Sequence, residues 1–350
     1  MNELMIYGLS ALFICFMIVI FLLSRLKTDI FPEDYEFGLD PFWYIFAVMF
    51  AGASVLFFVF PQMSDTIRTY HYTSTIFLPF LFAALIYFCY LFDVSWLTNL
   101  VTFAVALAIS YMQADDFQLF PKHLTLFQDR LVTAVLIFIV SKGLGLLNGQ
   151  GGIASMQFCG VMVAAVFLAH FDALPQFLAV IAMAYLGTML AFTIFSWPPE
   201  RIVMSHGAFS CFGFIMGCFM LNSASEFADA SMIIAASYLF TEVAVALYNR
   251  FICREITTDL YMNTSYYKIS DNGQYDLGVA RGVLKIIVID IVLSVIQVAA
   301  SERLALVIFA IALNLWFLSI FSGNSQPSEF FSITKLGKMA VKGLFGKKQK

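Results

Sequence analysis

Residues 4–24 read LMIYGLSALFICFMIVIFLLS, a run of twenty-one residues without a charged side chain. About 20 apolar residues form a helix long enough to cross the roughly 30 Å hydrocarbon core of a bilayer. The run is too long for a secretory signal peptide, and it lacks the basic segment that precedes one. It is therefore predicted to be a transmembrane helix.

Ten further apolar segments of similar length follow along the chain. They lie at residues 42–60, 75–92, 96–112, 131–147, 153–170, 174–195, 204–222, 229–249, 282–300 and 304–321. Their side chains are continuously apolar rather than alternating, which favours helices over the strands of a β-barrel. We expect an all-α, polytopic bundle of about eleven transmembrane helices over residues 1–322, followed by a tail at 323–350.

The composition excludes a soluble domain and a nucleic-acid-binding protein. Hydrophobic residues make up 61% of the chain and charged residues 12%, about half the usual charged share. The net charge of −4 is small and indicates no nucleic-acid partner. The six cysteines are single and the four histidines are scattered, so the sequence predicts neither a metal site nor a disulfide framework.

Lysine and arginine predict the orientation of the bundle, because cytoplasmic loops carry an excess of both. With the N-terminus outside, thirteen of these residues fall on the inner side and four on the outer side, while Lys142 and Lys285 lie within spans. In the reverse orientation, thirteen of these residues would lie on the outer side and four on the inner side, opposite to the usual pattern. We therefore expect the N-terminus outside and the C-terminus in the cytoplasm.

The tail has the pattern of a basic amphipathic helix. Ser328 is placed to cap a helix after Pro327, and Ile333, Leu336, Ala340 and Leu344 then share one face. Six lysines lie elsewhere on it: Lys335, Lys338, Lys342, Lys347, Lys348 and Lys350. The pattern predicts a helix on the anionic inner leaflet; the alternative is a solvated tail without regular structure.

Charged residues inside the predicted spans are candidates for functional sites, because each costs a few kcal/mol to insert. They are Lys142, Glu242 and Asp290; Lys285 lies near a span end, where its amine reaches the surface. Three roles are open for each of the three: a structural ion pair, a substrate site or an ion pathway. For Asp290, both Lys142 and Lys285 are candidate partners.

Five segments at the cytoplasmic ends of the third, fifth, seventh and ninth spans resemble motifs of one superfamily. They are Phe92-Asp93-Val94-Ser95, the loop at 148–154, the Pro198–His206 segment, Phe240-Thr241-Glu242 with Tyr248-Asn249-Arg250, and the loop at 264–269. In order and spacing they are similar to the motifs of bacterial polyprenyl-phosphate N-acetylhexosamine-1-phosphate transferases, of the glycosyltransferase family 4 type. The resemblance covers about residues 1–322.

The resemblance implies transfer of a phosphosugar from a nucleotide-sugar to a lipid carrier, with Mg²⁺ held by carboxylates on the cytoplasmic loops. This chain departs from that pattern. Five acids of the family's motifs are replaced, by Cys89, Tyr90, Asn148, Gly151 and His206. Only the acid of the ninth-span motif is retained, as Glu242. The loop at 264–269 has no histidine. The former site is expected to be a cleft that includes Cys89, Tyr90, Asn148, Gly151, Ser205, His206, Glu242, Tyr266 and Tyr267.

These departures favour a pseudoenzyme of the bacterial inner membrane, because none of Cys, Tyr, Gly or neutral His is a good Mg²⁺ ligand. It would act as a partner or regulatory subunit in cell-envelope polysaccharide or lipid-linked glycan assembly. Its partners would be membrane lipids, a polyprenyl-phosphate lipid among them, and another membrane protein or a second copy of the chain. One alternative is an active transferase with a rebuilt site, which would use Mg²⁺. The other is a transporter or channel.

The topology is directly testable. An epitope tag in the loop at 113–130 is expected to be accessible to antibody from outside the cell. A tag in the loop at 250–281 is expected to be accessible only after the membrane is permeabilised. The opposite pattern of labelling would overturn both the orientation and the resemblance that depends on it.

Overall fold

A computed structural model describes most of the chain. The described residues are 2–25, 41–59, 73–92, 94–112, 124–148, 152–198, 200–226, 230–252, 260–267, 276–299 and 303–323. The predicted tail helix with its six lysines lies outside them, as does Gly151.

The described residues form α-helices joined by short connections, and no strand occurs among them. In chain order the helices are α1 (Asn2–Ser24), α2 (Pro41–Val59), α3 (Leu78–Leu91), α4 (Ser95–Met112), α5 (Leu126–Leu146), α6 (Ile153–His170), α7 (Gln176–Ser196), α8 (His206–Glu226), α9 (Ser231–Ala235), α10 (Ser237–Phe251), α11 (Asp276–Ala299) and α12 (Arg303–Gly323). A π-helical turn, Thr73–Phe77, precedes α3, and a short 3-10 helix, Leu260–Asn263, follows α10. The predicted all-α class is confirmed.

Within the described part of the chain, five helical segments are long and apolar enough to cross a membrane. They are Ile6–Ser24, Thr73–Leu91, Ser95–Met112, Ile153–His170 and Gln176–Ser196. A helix satisfies its own backbone hydrogen bonds, as a segment in lipid has to do. The segments therefore support a membrane protein, while the count of eleven spans and the orientation stay predictions.

The centre of the bundle is formed by α6 and α7. In these two helices 78% of the spanning residues are buried, against 28% in α1. α7 packs against α1, α2 and α6, while α6 also packs against α11. α1 exposes large apolar side chains such as Phe13 and Phe21, as expected of a helix that faces lipid.

A second close contact joins α5 to α8 and depends on glycine. Gly213 of α8 lies against the backbone of α5, where an added Cβ would stand 2.8 Å from the carbonyl oxygens of Val140 and Ser141. The hydroxyl of Ser141 donates to the carbonyl of Ser210 over 2.7 Å. Small residues allow helices in lipid to approach closely enough for such packing. This contact fixes where α5 ends, and the candidate site lies there.

The predicted ninth span is divided into two helices. α9 ends at Ala235, Ala236 adopts a non-helical conformation (φ −99°, ψ 9°), and α10 begins at Ser237. No proline or glycine stands at this break. Its cause lies in side chains of other helices, described below.

The close approach of α5 and α8 gives a testable prediction about stability. Replacement Gly213→Ala forces the two backbones apart, and overpacking of this kind costs about 1–3 kcal/mol. The control is Gly278→Ala, because no atom of the described residues lies within 4 Å of an added Cβ there. Alanine in a helix is favoured by up to about 1 kcal/mol over glycine. Thermal unfolding in detergent is expected to show a lower midpoint for the first variant only. Equal midpoints for the two variants would contradict this packing.

Candidate functional site

The candidate site surrounds the C-terminal end of α5, residues 145–148, which we call the α5 end. The last carbonyl groups of a helix have no partner within it. Here the Oη of Tyr266 donates to the carbonyl of Leu146 over 2.8 Å, and the Nδ1 of His206 lies 3.0 Å from the carbonyl of Gly145. A carbonyl only accepts, so Nδ1 carries the hydrogen. Two residues predicted for the former site therefore cap α5.

Asn148 and Ser205 also bond to the backbone. The Nδ2 of Asn148 donates to the carbonyl of Met204 over 2.6 Å, which ties the α5 end to the segment before α8. The Oγ of Ser205 accepts a hydrogen bond from the backbone N–H of Ala208 over 3.2 Å. Ser205 is thus the N-cap of α8, a position that serine favours.

Glu242 lies fully buried in α10 and binds the segment that follows the 3-10 helix. Its carboxylate accepts hydrogen bonds from the Oη of Tyr238 (3.0 Å), the backbone N–H of Ser265 (2.9 Å) and the hydroxyl of Ser265. The ion pair considered for Glu242 is therefore replaced by neutral donors. Both oxygens are used to hold residues 264–266 against α10.

A cavity of about 150 Å³ lies beside the α5 end, between α3, α4, α5 and α8. Its lining combines cationic, polar and apolar side chains: Ile86, Tyr90, Val94, Ser95, Thr98, Asn99, Lys142, His206, Gly207 and Ser210. The N-termini of α4 and α8, at Ser95 and His206, meet at this cavity. Helix N-termini carry a partial positive charge and favour anions.

Lys142 supplies the full positive charge of the cavity. Its Nζ lies 6.0 Å from the centre of the Phe138 ring, and no carboxylate of the described residues forms an ion pair with it. His206 also lines the cavity, and its Nδ1 faces the carbonyl of Gly145. An ammonium group, hydroxyls, an amide and two helix N-termini together are suited to a phosphate group.

The remaining predicted residues fall into three groups. Tyr90 lines the cavity and lies against Gly207, while Cys89 and Tyr267 are only partly buried. Glu242 and Tyr266 are fully buried, so they do not line an open cleft as expected. Their side-chain oxygens form hydrogen bonds within the protein.

Asp290, predicted as an intramembrane charge, lies apart from the cavity at the break between α9 and α10. Its Oδ2 accepts from the backbone N–H of Tyr238 and from the Nδ2 of Asn314, both over 3.1 Å. The pairing with Lys142 or Lys285 is therefore wrong. Asn314 and Gln157 were not among the residues predicted from the sequence, although a lone amide in an apolar span is a signal that could have identified both.

No protein-family model matches the chain, and no curated protein matches it either.

Proposed function

We propose that the chain is an integral membrane pseudoenzyme of the bacterial inner membrane, which binds the phosphate group of a lipid at the α5 end. It would act as a partner or regulatory subunit in the assembly of envelope polysaccharides or other lipid-linked glycans. One observation carries the proposal. The polar groups at positions of the transferase motifs bond to the protein itself, whereas Lys142 lines a cavity in which the described residues place no carboxylate.

The residues at the α5 end do not fit Mg²⁺. Mg²⁺ requires hard oxygen ligands, usually one or two carboxylates with phosphate oxygens and waters. The acid retained here, Glu242, already accepts three hydrogen bonds and is fully buried. Releasing it would leave buried donors unpaired, at a cost of about 1–3 kcal/mol each. The described residues therefore favour phosphate binding without metal over phosphoryl transfer.

The size and surroundings of the cavity favour a lipid phosphate over a nucleotide-sugar. Pockets for drug-sized ligands are roughly 300–1,000 Å³, and this cavity is about 150 Å³. Near it, Phe92, Trp96 and Leu100 are at least 60% exposed. Exposed aromatic and aliphatic side chains suit an acyl or prenyl chain that leaves the cavity for the bilayer.

Binding of a polyprenyl phosphate to purified protein tests this proposal. Replacement Lys142→Gln removes a charged hydrogen bond of about 1.5–3 kcal/mol, so affinity is expected to fall at least tenfold. Lys285→Gln is the matched control, because Lys285 is exposed on α11 and does not line the cavity. Native mass spectrometry over a lipid titration measures both. Equal affinities for the two variants would refute the phosphate site.

The same preparations separate the pseudoenzyme from an active transferase. Incubation with a UDP-sugar, polyprenyl phosphate and Mg²⁺ is expected to release no nucleotide monophosphate. Release that is lost in His206→Ala would instead establish the rebuilt-site transferase. Release that is unchanged in variants of Asn148, His206 and Glu242 would identify a contaminating enzyme.

A further inference from the structure

The break between α9 and α10 is surrounded by buried polar side chains from three other helices. In an unbroken helix the N–H of Tyr238 would donate to the carbonyl of Ile234. Instead it donates to Asp290 of α11. On the other side of the break, the Nε2 of Gln157 on α6 donates to the carbonyl of Ala235 over 3.1 Å. Side chains of α6 and α11 thus replace the hydrogen bonds of the missing turn.

The donors around Asp290 are distributed unevenly between its two oxygens. Oδ2 accepts from Tyr238 and from Asn314 of α12, and Asn314 also donates to the Oγ of Ser237 over 2.8 Å. The Ser237 hydroxyl bonds to Asp290 in turn. Oδ1 has no hydrogen-bond partner among the described residues. One oxygen is therefore fixed by the start of α10. The other is buried and bare, by which we mean that it has no hydrogen-bond partner among the described residues.

Two further oxygens at the break are bare in the same way. The Oδ1 of Asn314 and the Oε1 of Gln157 are buried and accept no hydrogen bond from the part of the chain that the structure describes, although the nitrogen of each side chain is bonded. Asp290, Asn314 and Gln157 are 0% exposed. Buried acceptors without a partner are rare and costly. Three of them, on side chains fixed at one helix break, indicate a missing ligand.

We propose that Asp290, Asn314 and Gln157 form a buried binding site for a monovalent cation at the break between α9 and α10. All the bare atoms are hard oxygens, which are the ligands that alkali and alkaline-earth cations prefer. The set contains one carboxylate, so one positive charge neutralises it, whereas a divalent cation would leave a buried excess charge. No cationic side chain of the described residues bonds to Asp290.

A proton on Asp290 explains these unpaired oxygens less well than a bound cation does. A protonated Oδ1 donates one hydrogen bond, so it supplies a partner to one of the two bare amide oxygens and leaves the other without one. A cation accepts several oxygen ligands at once. Breaks in membrane helices expose backbone and side-chain groups at which ions bind. The site lies away from the lipid-phosphate cavity, so neither proposal depends on the other.

The test is the stabilisation of the purified full chain by Na⁺. Because a ligand stabilises the state that binds it, replacing choline chloride by NaCl at constant ionic strength is expected to raise the unfolding midpoint by about 2–4 °C. Asp290→Asn is expected to abolish this rise. Asn314→Ala is expected to need at least tenfold more Na⁺ for the same rise. Asp172→Asn is the matched control, since Asp172 is exposed at a turn with positive φ that asparagine also adopts.

Equilibrium binding of radioactive sodium to the same variants measures occupancy without relying on stability. One bound ion in the wild type and in Asp172→Asn, with none in Asp290→Asn, is the expected result. The proposal is overturned if the wild type binds no sodium, or if Asp290→Asn keeps the sodium response. It is also overturned if the midpoint of the wild type depends on pH but not on Na⁺, because the occupant would then be a proton.

Discussion

The free carbonyl groups at the end of α5 impose the constraint on which the candidate site depends. A helix cannot satisfy its own last carbonyls, and a buried carbonyl without a donor is costly. His206 and Tyr266 supply those donors from positions 61 and 120 residues away. In doing so they fix the start of α8 and the segment at 264–266 against α5. The cavity beside Lys142 is the space left between helices that these bonds hold in place.

The proposed function follows from the hydrogen bonds that these side chains make within the protein. In the transferases whose motifs we propose to be related to these segments, the corresponding positions would hold metal and pyrophosphate. Here Ser205 begins a helix, His206 and Tyr266 end one, and Glu242 binds a neighbouring segment. A residue that stabilises the fold in this way is not available to bind Mg²⁺. The proposed function therefore rests on Lys142 and on helix N-termini, which bind phosphate without metal.

The sequence was sufficient for the helices but not for the site. Long apolar runs predict helices because lipid offers no other partner to the backbone, and α6 extends over Ile153–His170 as its run does. The break at Ala236 had no local signal, because the backbone groups there bond to Asp290 and Gln157 on other helices. The partners of Glu242 were equally hidden, since Ser265 reaches it only through the fold. Charge alone suggested ion pairs, whereas neutral donors bond to both oxygens of Glu242 and to one oxygen of Asp290.

The central claim is that the α5 end binds a lipid phosphate without a divalent metal. Native mass spectrometry of the purified protein with a polyprenyl phosphate, in excess Mg²⁺ and in excess EDTA, tests it most directly. The account predicts the same lipid-bound fraction under both conditions, because Lys142 and the helix N-termini supply the positive charge. Lipid bound in Mg²⁺ and released by EDTA would contradict the account, since the phosphate would then be held through a metal.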